Sequence, residues 1–273
     1  MSKELDERIE EIRKQMIPIA SAMNQGIERI RPIFEAIAST AEKFRQQYAP
    51  VIQQFAKTYG PKLAQFVKQA QAWQEERKIT VAALAKQGWF PNWYTFFFHP
   101  EDGYANLDEF MVAHIDNCWD ELKKQIIKHV PKRKHILEVA FKLHEEGNYI
   151  ASIPLFLAQS DGICSEEFTY FFTKDNSTGK TAADEILHQA ENNELAVNFI
   201  SEIWLEPFKY DLQIKQGSSK ASKAAKEKGP NRHGIIHGSR KHLDYGSKVN
   251  GYKAVSFLAF IVFTVKDQFK KLE

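Results

Sequence analysis

A chain of 273 residues with 43% hydrophobic and 26% charged content carries enough apolar mass for one large or two modest domains, which excludes wholesale disorder. Its net charge of +2 hides an uneven spread, because residues 213–253 hold ten lysines and arginines against only Glu227 and Asp244. The remainder is acid-rich, and this stretch is the candidate for contact with a polyanion. Cys118 and Cys164 are too few for a disulfide framework.

The opening MSKELDERIEEIRKQ carries charges where a secretory signal needs an apolar run, so a cytoplasmic location is the expectation. In LDERIEEIRKQM, Ile9, Ile12 and Met16 recur at spacings of three and four behind an acidic first turn, which predicts an amphipathic helix. The pattern continues over residues 4–75. Pro18, Pro32, Pro50 and Pro61 interrupt it, each as a kink or restart, since proline removes a helical hydrogen bond. Two related 11-mers, YAPVIQQFAKT at 48–58 and YGPKLAQFVKQ at 59–69, place Ile52, Phe55, Leu63 and Phe66 along one stripe. Residues 1–87 therefore read as an N-terminal helical region packed on a core or on a partner chain. GWFPNWYTFFFHPEDG at 88–103 has no helical period, and 88–104 reads as an aromatic linker or cap. Packing is the first role expected of it, and base stacking by Trp93 or Phe98 the second.

Helical periodicity resumes at Asn106 with LDEFMVAHIDNCWDELKKQIIKHV as one segment. PKRKHILEVAFKLHEEGNY follows, with Pro131 suited to open a helix, and then YIASIPLFLAQSDGICSEEF, strongly apolar up to Ser160. TYFFTKDNSTGKT at 169–181 reads as a loop, helices return over 182–215, and SSKASKAAKEKGP at 218–230 reads as a small, polar, basic loop. A last helix is expected from about Lys248 to Lys271. Its AVSFLAFIVFTV stretch is shorter than a membrane span and contains Ser256 and Thr264, so burial in protein is expected and no membrane partner. The expected fold is all-α, with kinked amphipathic helices ahead of a helical bundle over 105–273.

Three arrangements carry chemistry. NSTGKT ends like a phosphate-binding loop, yet Lys174 stands where that loop needs its first glycine. His233 and His237 are four apart, as on a zinc-binding helix, with His242 and Asp244 near enough to complete a set. Against this, Gly234 stands where such a site places its glutamate, and Gly234 with Gly238 weakens the helix. A metal-independent role fits better, and no cofactor is expected. The third arrangement is Arg232 with His237, five apart around Ile235 and Ile236, able to point into one cleft. This pair suits phosphodiester cleavage. Imidazole titrates near neutrality, guanidinium is a permanently charged fork for phosphate, and RNA brings its own 2′-hydroxyl nucleophile. One motif per chain gives one obvious proton shuttle, so two chains across a two-fold axis are expected to share the work.

N-R-H-G-I-I-H-G at 231–238 resembles the signature of the HEPN superfamily, an Arg followed by four to six residues and a His, with a polar residue after the Arg (here His233). NYIASIPLFLAQSDGIC at 148–164 and DYGSKVNGYKAVSFLAFIVF at 244–263 extend the likeness, which covers roughly 105–273 and leaves 1–75 outside it. The resemblance implies a HEPN-like up-and-down bundle of four or five helices, usually a homodimer with its Arg/His motifs in a shared cleft. It implies a metal-independent endoribonuclease that leaves a 2′,3′-cyclic phosphate and a 5′-hydroxyl, often a toxin or phage-defence effector. Transferred to this chain, His237 is the general acid and base and Arg232 the phosphate clamp. Asn231 and His233 orient the phosphate or the partner's motif, and Asp161 is the acidic residue from an earlier helix. Family members controlled by adenylylation carry a Tyr where this chain has Ser239, which argues against that control. Lys220, Lys223, Lys226 and Lys228 before the motif, and Arg240 and Lys241 after it, are expected to give phosphate-backbone affinity without base choice. The alternative reading is a non-catalytic nucleic-acid-binding or interaction module. The RNA, the trigger and any antitoxin are not written in the sequence.

Overall fold

The computed structural model describes residues 57, 60–95, 104–166, 182–192, 201–210, 212–219 and 228–266. The expectations for the kinked helices through residue 56, for Phe98, for the loop at 169–181, for Lys220, Lys223 and Lys226, and for the far end of the last helix lie outside these residues. The chain divides into two compact units, residues 1–77 with 198–200, and residues 78–197 with 201–273. In the first, residues 60–77 are helical and Leu63, Phe66 and Val67 are exposed.

The second unit is all-α, with no strand among the described residues. At its centre lies the helix Lys248–Phe260, which continues as a π turn over Ile261–Val265. Ser247 caps it, its side chain accepting the Asn250 amide N–H at 3.2 Å. From Gly251 to Val265 every residue is buried, because apart from Lys253, Ser256 and Thr264 the segment is apolar on all sides and has no face to offer water. Among the described residues this is the one helix long and apolar enough to cross a membrane, and 83% of it is enclosed by the protein.

Four helices surround or lead onto this core. The expected single segment after Asn106 is two, Leu107–Asn117 and Trp119–His129, stepped at Cys118. The first packs on the core helix and the second on the π turn, so the step lets Met111 and Ile115, then Leu122 and Ile126, follow different parts of one core. Pro131–Arg133 forms a 3-10 turn with its proline at the first position and leads into Lys134–Glu145. Tyr149–Cys164 packs against Lys134–Glu145 and against the core helix. It contains Pro154, which has no N–H for the Ile150 carbonyl; the Tyr245 hydroxyl donates to that carbonyl instead, at 2.9 Å.

Residues 88–95 of the aromatic stretch form a plug belonging to this unit. The Phe90 N–H donates to Ser256 Oγ at 2.8 Å, and the same hydroxyl donates back to the Phe90 carbonyl at 2.9 Å. Trp89 is fully buried, and its Nε1–H donates to Asp108 at 2.7 Å. Asp108 also holds the buried Lys253 ammonium at 3.0 Å. Trp93 lies edge-on to Trp204 with centroids 5.5 Å apart, so its ring is engaged in packing.

A buried histidine sits where four of these elements meet. His144, 3% exposed, stacks on Trp119 at 4.8 Å and meets the rings of Tyr252 and Tyr149 at 4.7 and 5.1 Å. Neither ring nitrogen has a hydrogen-bond partner, and burial pushes its pKa from 6.5 down to about 4.

Candidate active site

The Arg/His motif folds as a short helix, Arg232–Ile236, held at both ends. Asn231 is the N-cap: its Oδ1 accepts the Gly234 N–H at 2.6 Å, while its Nδ2 donates to the carbonyls of Gln213 at 3.1 Å and Gln216 at 2.8 Å. At the other end Gly238 adopts φ +61, its N–H returning to the Ile235 carbonyl and the Ser239 N–H to the Gly234 carbonyl. This is the Schellman closure, which needs a left-handed residue and finds glycine there. The two glycines expected to weaken the helix thus do separate work. Gly238 ends it, and Gly234 admits the buried His242, whose Cδ2 would lie 2.1 Å from any Cβ at position 234. His242 Nε2 is bonded to the Ser218 carbonyl at 3.1 Å.

Entry to the motif is equally tight. Gly88, at φ +84, lies against the Lys228 carbonyl, and a Cβ there would come within 1.8 Å of that oxygen. The backbone before the motif is therefore fixed against the end of the helical segment that closes at residue 86.

The side chains divide into an inward and an outward set. Arg232, 8% exposed, turns inward and makes an ion pair through Nη2 with Oδ2 of Asp161, itself 3% exposed and carried near the end of Tyr149–Cys164. Burial pushes the Asp161 carboxyl above the ordinary range, and the Arg232 guanidinium draws it back. Among the described residues, the buried Arg232 Nε and Asp161 Oδ1 have no hydrogen-bond partner. His233 and His237 face outward, both exposed, with ring centroids 4.5 Å apart and planes at 47°. Desolvation, then the neighbouring His237, Arg232 and His242, hold His233 below its ordinary pKa.

Of the residues singled out from the sequence, Asp161 and Arg232 are brought together, and so are His233 and His237. Asn231 is corrected: at 2% exposure and with its amide committed to backbone groups, it positions the helix and does not face a phosphate. Arg232 and His237 do not share one face, the former being spent on Asp161. Lys228, Arg240 and Lys241, which flank the motif in sequence, are exposed, with Lys241 Nζ donating to the Ser219 carbonyl at 3.3 Å. The four-ligand set with His242 and Asp244 does not form, because His242 is buried and bonded elsewhere; among the described residues no group of three or more His, Cys, Asp or Glu converges. Sequence reading missed His242 and Tyr245 as supports. The one available signal was a glycine inside a helical stretch, which marks close approach by something without naming it.

No family model matches this chain, no curated protein matches its sequence, and no solved structure matches its fold.

Proposed function

We propose that the chain is a metal-independent endoribonuclease of the HEPN type, a toxin or phage-defence effector that cuts RNA through its own 2′-hydroxyl. The observation that carries this reading is the pair of exposed imidazoles, His233 and His237, on a short helix capped at both ends and flanked in sequence by the exposed Lys228, Arg240 and Lys241. Neutral His237 takes the 2′-hydroxyl proton as that oxygen attacks phosphorus. The bond to the 5′-oxygen breaks, the leaving oxygen receives a proton from an imidazolium, and a 2′,3′-cyclic phosphate and a 5′-hydroxyl result. Asp161 is the resting counter-ion of Arg232. For Arg232 to stabilise the transition state, its fork exchanges a carboxylate oxygen for a phosphate oxygen, a like-for-like swap of charged acceptors. A homodimer supplies the second motif, and with it a second imidazole pair across the cleft.

The test is cleavage of single-stranded or looped RNA in EDTA by wild type and by His237→Ala. The variant is expected to lose about 100- to 10,000-fold, the range of general acid–base catalysis. Undiminished cutting by His237→Ala sinks the mechanism. The burial of Arg232 against Asp161 favours one further reading, a module that binds nucleic acid without cutting it. Incubation with total RNA separates the two, since only the enzyme creates new 5′-hydroxyl ends.

A further inference from the structure

We propose that His233 and His237 form a two-imidazole chelate for a divalent late first-row metal ion of the zinc, nickel and copper class, and that its occupancy silences the site. The second half rests on the ribonuclease reading; the first does not.

Spacing of four on a helix places the two rings on one face, and their centroids stand 4.5 Å apart, both exposed. Among the described residues neither imidazole donates or accepts a side-chain hydrogen bond, so their nitrogen lone pairs are uncommitted. The backbone that presents them is already ordered. Asn231 closes one end, Gly238 the other, and His242 is seated under Gly234. A metal ion therefore meets a prepared pair and does not have to order the helix. Imidazole ligates in its neutral form.

The surroundings select the kind of metal. The pair offers nitrogen only, and the Asp161 carboxylate is turned inward on Arg232. Magnesium and calcium, which want oxygen ligands, are poorly served by two imidazoles. Copper, nickel and zinc favour imidazole nitrogen in the order that ranks copper first, and water completes their coordination, since only two protein ligands are offered. Once both lone pairs are on the ion, neither imidazole can take a proton from a 2′-hydroxyl.

The experiment uses the full chain, stripped with EDTA and dialysed, and titrated calorimetrically with Zn2+ and separately with Mg2+. Wild type and His135→Ala, which removes an exposed histidine elsewhere, are expected to show a saturable one-to-one Zn2+ step. His233→Ala and His237→Ala are both expected to lose that step while keeping the wild-type circular dichroism spectrum. Mg2+ is expected to give no heat. A Zn2+ step that survives in both variants, or that is absent from wild type, overturns the chelate. RNA cutting by wild type is expected to stop at equimolar Zn2+, to return with excess EDTA and to ignore Mg2+. Zn2+ bound at the pair with cutting unchanged overturns the silencing. A protein that never cuts overturns the ribonuclease reading and the silencing with it, and the titration then decides the chelate by itself.

Discussion

Asp161 and Arg232 place opposite charges where almost no water reaches either, and each is tolerable only because of the other. Asp161→Asn or Arg232→Met alone is expected to cost about 3–5 kcal/mol, because the survivor is left buried and uncompensated. The double change Asp161→Leu with Arg232→Met is expected to recover most of that loss in urea unfolding, while an equal or larger loss argues against a pair that matters to stability. Asn231→Ala is expected to cost about 1–2 kcal/mol as a lost cap, with RNA cutting reduced in proportion to the helix disorder it causes. His144 belongs at this scale too. Its folded pKa of about 4 is depressed below 6.5, so its contribution is complete above pH 6.5 and is lost as pH falls toward 4. The loss amounts to about 3 kcal/mol. Thermal unfolding at neutral and acidic pH is expected to show a smaller acid penalty for His144→Phe than for wild type. These residues differed in how readable they were. Asp161 and Arg232 stood out by resemblance, but an asparagine that caps a helix and one that holds a phosphate have the same letter. Only the fold shows that Gln213 and Gln216 claim it.

Periodicity was a good guide to the elements and a poor one to their ends. The buried last helix was legible because a run that is apolar but for a few polar residues leaves no face for water, whereas its Ser247 cap shows only in the structure. The step at Cys118 was not legible. Its two halves share one continuous apolar pattern, and the core they wrap changes beneath them. Nor does the sequence reveal how Pro154 survives inside a helix. The Tyr245 hydroxyl that serves the Ile150 carbonyl comes from 95 residues away, beyond any local signal. Tyr245→Phe is expected to lower stability by about 1 kcal/mol. In a Pro154→Ala background, where the helix supplies its own N–H, the same change is expected to be nearly silent. A double-mutant cycle by thermal unfolding reads the difference, and additivity of the two changes would discount the compensation.

The uneven charge of the whole chain has its counterpart in the exposed Lys228, Arg240 and Lys241 that flank the motif in sequence. RNA binding, followed with the His237→Ala variant so that nothing is cut, is expected to weaken linearly in log–log terms as salt rises. Lys241→Ala is expected to flatten that slope by roughly 0.7, the share of one phosphate contact on a single strand. An unchanged slope removes Lys241 from the interface. Residues 232–245 are tied to Tyr149–Cys164 at two widely spaced points, Arg232 to Asp161 and Tyr245 to Ile150. With an anchor at each end, this length of chain is expected to lift away as one cooperative patch. Its amide protons, from Gly234 through His242, should therefore trade with deuterium in concert, and severing either anchor should quicken all of them together.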